Sequence, residues 1–504
     1  MQATAKTCSN SGSNLLNKWV QQEDKMIYES KKFRLVCYPF GEDNDSEQTE
    51  EATLEVFKDI GYAQKAWKEG KEIYSSHRFG HIVKRPVTSR LVLHPDLYPI
   101  VTKFPRNSTD TLDPNDLSLK WDSPYNGENF ITMFNAVGIP FSIFCLPVEA
   151  TLIIDKSIRE YLNLWKRQLD SFADYSEEHF FKPWKASGEF KDSYSIFSSI
   201  MWATVEHFML GIAEENQTDF AYVWNNIFAP PKQGIVEKSL DFIKKFWNPQ
   251  RELSELKNYI LDRIKDSESQ NDIMSVTIFD YWKENKLFDQ VWNVLTPALK
   301  EKARSYSEQN GMTPSQLILR DTFLVFMIGM QENMASLMTS CLVIRKIEAE
   351  KGLPKPDPVT KFVREVVNFL PTAGSSRELR CPADIFHKFE DGSEKLICSA
   401  NKKDILNIGG IKHSHVHGEY SGSEGFNSDR EEKVCPEKFA FSQGPHKCPG
   451  QSFAMKYLEK LYDKLSSNYD PVVEYSVDPN NEFGLPRYVI SFTIKPVGVQ
   501  VKLT

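Results

Sequence analysis

No C-x-x-C pair occurs among the eight cysteines of this 504-residue chain, Cys8, Cys37, Cys145, Cys341, Cys381, Cys398, Cys435 and Cys448. Spacing this wide supports neither a paired-cysteine zinc site nor a disulfide framework, so most of them are expected to be reduced, buried thiols. Also missing is an apolar stretch in the first thirty residues, where Lys6, Asn10, Asn14, Gln21 and Glu23 interrupt every run. Neither a signal peptide nor an N-terminal anchor is read there, and a cytoplasmic chain, compatible with peripheral membrane association, is expected. A basic stripe is absent too. With 61 Lys and Arg against 69 Asp and Glu, the net charge is −8 and spread along the chain, which excludes nucleic acid as an expected partner. No internal repeat and no convincing linker divides the sequence.

What is present is apolar and aromatic. A hydrophobic fraction of 40%, with 33 Phe, 19 Tyr and 10 Trp, is enough for a large buried interior. Residues 1–51 are polar and close on the acidic run from Glu42 to Glu51, so they read as a loosely held arm, with 52–504 as one domain beginning in a helix near Ala52. Ile82-Val83 and Leu91-Val92-Leu93, separated by Pro86, suggest a hairpin between His81 and Leu93. From Glu149 to Arg345 apolar residues recur at helical spacing, for instance over Tyr161 to Phe172, Phe197 to Leu210, Leu240 to Trp247 and Leu253 to Ile264. After Pro371 the pattern turns irregular until a last helix near Gln451 and a strand pair over Tyr488 to Lys502. The expected class is mainly α with small β-sheets, in a single domain.

One apolar stretch, Thr322 to Met330 and Met334 to Ile344, is interrupted by Gln331-Glu332-Asn333. Three consecutive polar residues at its centre argue for a buried helix and against a membrane span. Such groups cost free energy in an apolar setting unless they find partners, so a ligand cavity, bound water or a cofactor edge is implied beside them.

A second segment, Phe441-Ser-Gln-Gly444-Pro-His446-Lys-Cys448-Pro-Gly450, leads into the helical stretch from Gln451. A thiol just before a helix meets unpaired backbone N–H groups and the positive end of the dipole, which favour its thiolate. Gly444 and Gly450 allow positive φ and close approach to a flat ligand, Phe441 can shield the sulfur, and His446 can reach an anionic group at the ligand's edge.

This run resembles the haem-binding signature of the cytochromes P450, F-x-x-G-x-[RH]-x-C-x-G, matched at Phe441, Gly444, His446, Cys448 and Gly450. The resemblance implies a P450-type fold, haem b (iron protoporphyrin IX) with Cys448 as the sulfur ligand to the iron, and a haem-thiolate oxidoreductase, a monooxygenase acting on a small organic or lipid-like substrate with a reductase or a peroxide as partner. It also aligns the polar break with the family's distal helix, where [AG]-G-x-[DE]-T is usual and this chain has Gly329-Met330-Gln331-Glu332-Asn333. Glu332 and Asn333 become the candidate catalytic residues. Asn333 stands in place of the Thr that assists proton delivery, and an amide cannot relay a proton as a hydroxyl does. The Gln-x-Asn-Met run is similar to prostacyclin synthase, and an Asn on this helix is also a feature of allene oxide synthase. A peroxide isomerase or dehydratase needing no reductase is therefore one alternative, and a non-catalytic haem-binding protein is another.

Two further departures affect the cysteine loop. The family's E-x-x-R appears as Glu365-Val-Val-Asn368, so the brace that its Arg provides must be weaker, or rebuilt from Arg364, Arg377 or Arg380. Phe426-Asn-Ser-Asp-Arg430 looks like F-x-P-x-R with Ser428 in place of Pro, and Arg377 falls where P450s hold a haem propionate. No clean W-x-x-x-R is found, Trp165 with Arg167 being the nearest. His413, His415 and His417 share one side of an extended stretch, but with no carboxylate or Cys at ligand spacing they read as a solvent-facing loop.

Overall fold

The computed structural model describes residues 25–30, 32–38, 73–79, 86–92, 97–102, 125–126, 134–135, 137–218, 220–221, 223, 250–269, 277–370, 375–408, 426–428, 440–442, 444–477, 488–490, 494–496 and 498–504. Its principal helices are α1 (Tyr98–Thr102), α2 (Val148–Trp165), α3 (Leu169–Ser176), α4 (Ser193–Met209), α5 (Gln250–Ser269), α6 (Pro297–Gln309), α7 (Pro314–Glu350), α8 (Val359–Phe369) and α9 (Gln451–Asn468). Strands β1 (Met26–Glu29), β2 (Phe33–Cys37), β8 (Ala383–Lys388) and β9 (Glu394–Ala400) form one sheet in the order β1-β2-β8-β9. A second sheet runs β3-β4-β10-β7-β5, built from Ile73–Phe79, Pro86–Val92, Ile405–Ile408, Ser375–Leu379 and Tyr125–Asn126. Two smaller sheets join β11 (Pro471–Glu474), β14 (Gln500–Leu503) and β6 (Lys191–Asp192), and pair β12 (Tyr488–Ile490) with β13 (Ile494–Pro496). The mainly helical class with small sheets is thus the observed one.

Several boundaries differ from the sequence reading. Within the stretch expected as a loose arm, β1 and β2 are a hairpin, and β2 pairs antiparallel with β8 from Phe33↔His387 to Cys37↔Ala383. The reason is apolar: Phe33, Leu35 and Cys37 alternate into a small core with Tyr98, Tyr125, Leu379 and Leu406, a period-two pattern hidden in a polar neighbourhood. In the hairpin expected over 81–93, the first strand lies earlier, at Ile73–Phe79, pairing Ile73 with Val92 and Phe79 with Pro86. Near the C-terminus, β12 and β13 pair as expected, but β14 joins β11 and β6. The helices expected near Ala52 and over Leu240–Trp247 lie outside the described residues.

α7 organises the larger core. Its start is set by a capping box in which Thr313 and Gln316 exchange side-chain and backbone hydrogen bonds, with Pro314 at the first helical position. Its end is set by Gly352 at φ +76°, where the Gly352 N–H reaches Ala349 O and the Leu353 N–H reaches Glu348 O. Between them nearly every side chain from Gln316 to Ile344 is buried. Among the described residues no helix is long and apolar enough to cross a membrane. Phe172 ties α3 to its neighbours, stacking on Phe208 of α4 at 4.1 Å and meeting Phe453 and Tyr457 of α9 edge-on at 5.9 and 5.7 Å.

A buried charged cluster fixes the loop before α2 against α7. Asp321, fully buried, accepts from Arg320 at 2.7 and 3.0 Å and from the Phe141 backbone N–H at 2.9 Å. Arg320 also donates to Gly138 O at 3.3 Å, and Lys257 of α5 donates to Val137 O at 2.5 Å. Burial, reinforced by the nearby Arg320 charge, pushes the Lys257 ammonium down to about 8.

Two outcomes are expected of this cluster. Asp321→Asn leaves the Arg320 charge buried without its partner and should cost about 3–5 kcal/mol in urea unfolding; a cost no larger than that of a surface substitution contradicts this. Lys257 binds its proton less tightly folded than unfolded, so between about pH 8 and the ordinary lysine range the unfolded chain holds more protons and stability rises with pH. Lys257→Met should flatten that rise, which melting temperatures across the window would measure.

Candidate functional site

Cys448 lies two residues before the first turn of α9, in a loop whose backbone folds under the sulfur. Its own N–H donates to Phe441 O at 2.8 Å, closing the loop, and the N–H groups of Gly450 and Gln451 point at its sulfur. The turn between is tightened by a 3-10 helix, Gly444–His446, and the Lys447 N–H reaches Gly444 O at 3.1 Å. Gly444 takes φ +67°, as expected of it, and so does Ser442 at φ +59°, which no sequence signal marked. Gly450 corrects the expectation: its φ is −88°, ordinary right-handed backbone, because it serves as the helix N-cap. A side-chain carbon there would make ordinary contacts with Leu162 Cδ1 at 3.5 Å and the Cys448 sulfur at 3.9 Å.

The thiolate expectation is also corrected. Burial pushes the Cys448 thiol up to about 11. The Gly450 and Gln451 N–H groups and Lys447 pull it down, and Asp155 of α2 adds to the rise. Although the residue as a whole is half-buried, its sulfur sits deep enough for desolvation to outweigh the helix terminus. α2 and the start of α9 bound a cleft of ≈ 360 Å³ beside it, lined by Arg159, Leu162, Asn163, Cys448, Gln451 and Phe453. Phe441 packs half-buried against the main core, and His446 is half-buried in the 3-10 turn.

α7 presents its three polar residues in three directions, because each step along a helix turns by about 100°. Gln331 donates to Ser198 Oγ at 2.7 Å and to Ala221 O at 3.2 Å. Glu332, expected beside Asn333 over one cavity, is fully buried and accepts a hydrogen bond from the Tyr194 hydroxyl of α4. Ser193 and Thr339 extend this seam at 3.0 Å. Only Asn333 turns to the open side. It shares that side with half-buried Phe326 and with Gly329, where a side-chain carbon would meet no atom within 4 Å. Asn333 Nδ2 donates to Gly329 O at 2.9 Å. A carbonyl can only accept, which fixes the amide's orientation and leaves Oδ1 as a buried acceptor with no partner among the described residues.

The remaining candidates sit around these two elements. Arg377 is on β7, opposite Leu406 of β10, with none of its surface exposed. Burial pulls its guanidinium down to about 10, and the phenols of Tyr125 and Tyr98 lie close enough to oppose that shift. Glu365 of α8 is buried and accepts the Asn427 N–H at 3.1 Å, while Phe426 packs on Phe362 and Phe369 at 5.6 and 5.9 Å. The glutamate therefore holds the 426–428 segment through its backbone. Trp165 packs with Tyr161, Phe172 and Phe208 at the end of α2. Arg430 and the three histidines at 413, 415 and 417 lie outside the described residues. Sequence reasoning missed Tyr194 and Ser198, whose spacing of four on an apolar helix was the available signal.

No protein-family model matches the chain, and no curated protein does. Solved structures do. A crystal structure of a cytochrome P450, CYP102L1, is matched over 90% of this chain and 100% of that one, with TM-score 0.57 and 12% identity. Mycobacterium marinum CYP150A6 in its substrate-free form is matched over 90% and 97%, with TM-score 0.53 and 13% identity. The retinoic acid-bound cyanobacterial CYP120A1 is matched over 88% and 93%, with TM-score 0.54 and 13% identity. The fold is of the cytochrome P450 type.

Because Glu332 is held by Tyr194, Tyr194→Phe should lower stability by about 1–3 kcal/mol through loss of a buried hydrogen bond to a carboxyl group. Denaturant unfolding measures this, and unchanged stability would show that the seam contributes nothing.

Proposed function

We propose that this chain is a haem-thiolate oxidoreductase in which Cys448 ligates haem b and a small organic or lipid-like substrate lies against the open face of α7. The observation that carries this reading is the Cys448 loop: a single sulfur at the start of α9, with the N–H groups of Gly450 and Gln451 aimed at it, in a fold of the P450 type. The donor chemistry fits the group. A thiol pushed up by burial is stabilised as thiolate once a metal cation neutralises it, and two backbone N–H bonds moderate its charge. The open space at Gly329 and the unpartnered Asn333 Oδ1 fit a flat cofactor and a polar ligand. Arg377 and His446 would hold the carboxylates of the porphyrin, and Phe441 would screen the sulfur from water. When bound, haem supplies redox chemistry at iron, with thiolate donation favouring O–O cleavage.

The residues of the chain do the rest. Phe326 and Gly329 give the substrate an apolar surface, Asn333 orients an oxygen atom through Oδ1, and Glu332 acts at a distance by fixing the rotation of α7 through Tyr194. In the leading reading the protein is a monooxygenase served by a reductase or a peroxide. One observation supports a second reading: Asn333 brings an amide and no hydroxyl to the open face, with one Nδ2 hydrogen donated to Gly329 O. That favours rearrangement or dehydration of an organic peroxide without a reductase.

A reduced, carbon-monoxide-bound spectrum tests the ligand: the wild type should give a long-wavelength Soret band, and Cys448→Ser should lose it. A spectrum unaffected by the substitution, or a protein that stays colourless with ample iron and porphyrin precursor, rejects the reading. Turnover of a lipid hydroperoxide without reductant, against substrate oxidation that consumes one, separates the two reactions.

A further inference from the structure

The smaller core, far from Cys448 in the chain, holds three further thiols. Cys37, Cys381 and Cys398 are 0%, 2% and 7% exposed and lie among the apolar residues around Phe33, Tyr98, Tyr125 and Leu406. Cys37 and Cys381 are distant in sequence, but the fold brings them together. Cys37 ends β2 opposite Ala383 of β8, the Tyr38 N–H reaches Pro382 O at 2.9 Å, and the chain bends at residues 380 and 381 between β7 and β8. Cys381 is thereby placed beside the end of β2, and the two thiols share a hydrogen bond. That contact, with burial, pushes the Cys37 thiol well above its ordinary range. Cys398 is placed differently. It pairs with Ile385, which pairs in turn with Leu35, so β8 stands between it and β2. Two sulfurs already in contact meet the chief geometric condition for a disulfide, which is that their side chains point at one another.

We infer that Cys37 and Cys381 are a dithiol that closes to a disulfide under oxidation, fastening the β1–β2 hairpin to the connection between β7 and β8. The oxidant is a hydroperoxide. One sulfur attacks its O–O bond, becoming a sulfenic acid and releasing an alcohol, or water when the oxidant is hydrogen peroxide. The second thiol then displaces the sulfenic oxygen as water, so two thiols are oxidised and one peroxide is reduced. Neither sulfur is open to solvent, so reaction follows local opening of the hairpin, in which β1 is an edge strand paired only with β2 among the described strands. A thiol that holds its proton this firmly offers little thiolate, so the bond forms slowly, and burial shields it from thiol reductants once closed. Cys381 follows the end of β7 by two residues, so the bond also steadies the strand that carries Arg377. This chemistry goes beyond the proposed function and needs no haem.

The experiment is peptide mapping of the full chain after prolonged treatment with hydrogen peroxide, removal of the peroxide, alkylation in urea and digestion. Mass spectrometry should find the Cys37 and Cys381 peptides joined, two hydrogens lighter than their sum, with the link removed by dithiothreitol in urea. The oxidised protein should also melt a few degrees higher than the reduced one, because the bond closes a long loop. Cys398→Ala should keep both the link and the shift, and Cys37→Ala should lose both; the mapping of the wild type decides the matter by itself if a variant fails to fold. Recovery of Cys37 and Cys381 as separate alkylated thiols, a link that runs to Cys398, or sulfinic acid at either position in place of a bond would each overturn the inference. Cys448→Ser should form the same link, so rejection of the haem-thiolate reading leaves this one standing.

Discussion

The rotation of α7 about its own axis is the constraint on which the site depends. A helix buried along almost its whole length has no solvent to receive misplaced polar groups, so its angular setting is fixed by where those groups find partners. Here the fixing partners are on α4: Tyr194 holds Glu332, Ser198 holds Gln331, and Ser193 meets Thr339. Once these contacts are made, Gly329 and Asn333 are turned away from the α4 seam. A rotation of one residue would bury Asn333 in the seam and turn Glu332 to the open face, at the cost of every polar contact between the two helices. Glu332 therefore fixes the side that Asn333 presents without sharing it.

The cysteine loop obeys a different balance. Helix-terminal N–H groups are often enough to make a thiol acidic, but here the sulfur is enclosed by α2 and α9, and burial wins, pushing the thiol up to about 11. The Cys448 N–H bond to Phe441 O and the Gly444 turn hold that loop in shape independently of the sulfur's charge. The geometry is set by backbone, and the electrostatics are left for the ligand to complete.

Much of this was legible in the residues, and the limits follow from physics. The start of α9 at Gln451 and the buried character of α7 could be read directly, because a glycine-bounded cysteine turn and a long apolar stretch with one polar break leave strong local patterns. The separate fates of Glu332 and Asn333 could not, since adjacency in sequence hides a turn of about 100° and the deciding partner, Tyr194, is distant in the chain. The hairpin of β1 and β2 was obscured in a similar way. Its alternation spans too few residues to stand out from polar flanks, and its stability comes from pairing with β8, some 350 residues away by register. Gly450 looked like a positive-φ glycine and is not, because it is the N-cap of α9 with ordinary right-handed backbone.

Position 368, one turn after Glu365, is an asparagine, and the 426–428 segment is held to α8 by a backbone bond and aromatic contacts. A guanidinium would offer a carboxylate two parallel donors and a full charge. In this chain the Glu365 carboxylate accepts a backbone N–H, from Asn427, and the segment is seated by aromatic contacts of Phe426 on Phe362 and Phe369. A backbone donor cannot rotate away as a long side chain can, so the bond costs little side-chain entropy, and the apolar contacts are insensitive to salt. α8 packs on α9 through Phe362 and Tyr462, stacked at 5.2 Å, so the same helix that holds the 426–428 segment also supports the helix that begins beneath Cys448. These contacts join α8, α9 and the 426–428 segment beneath Cys448.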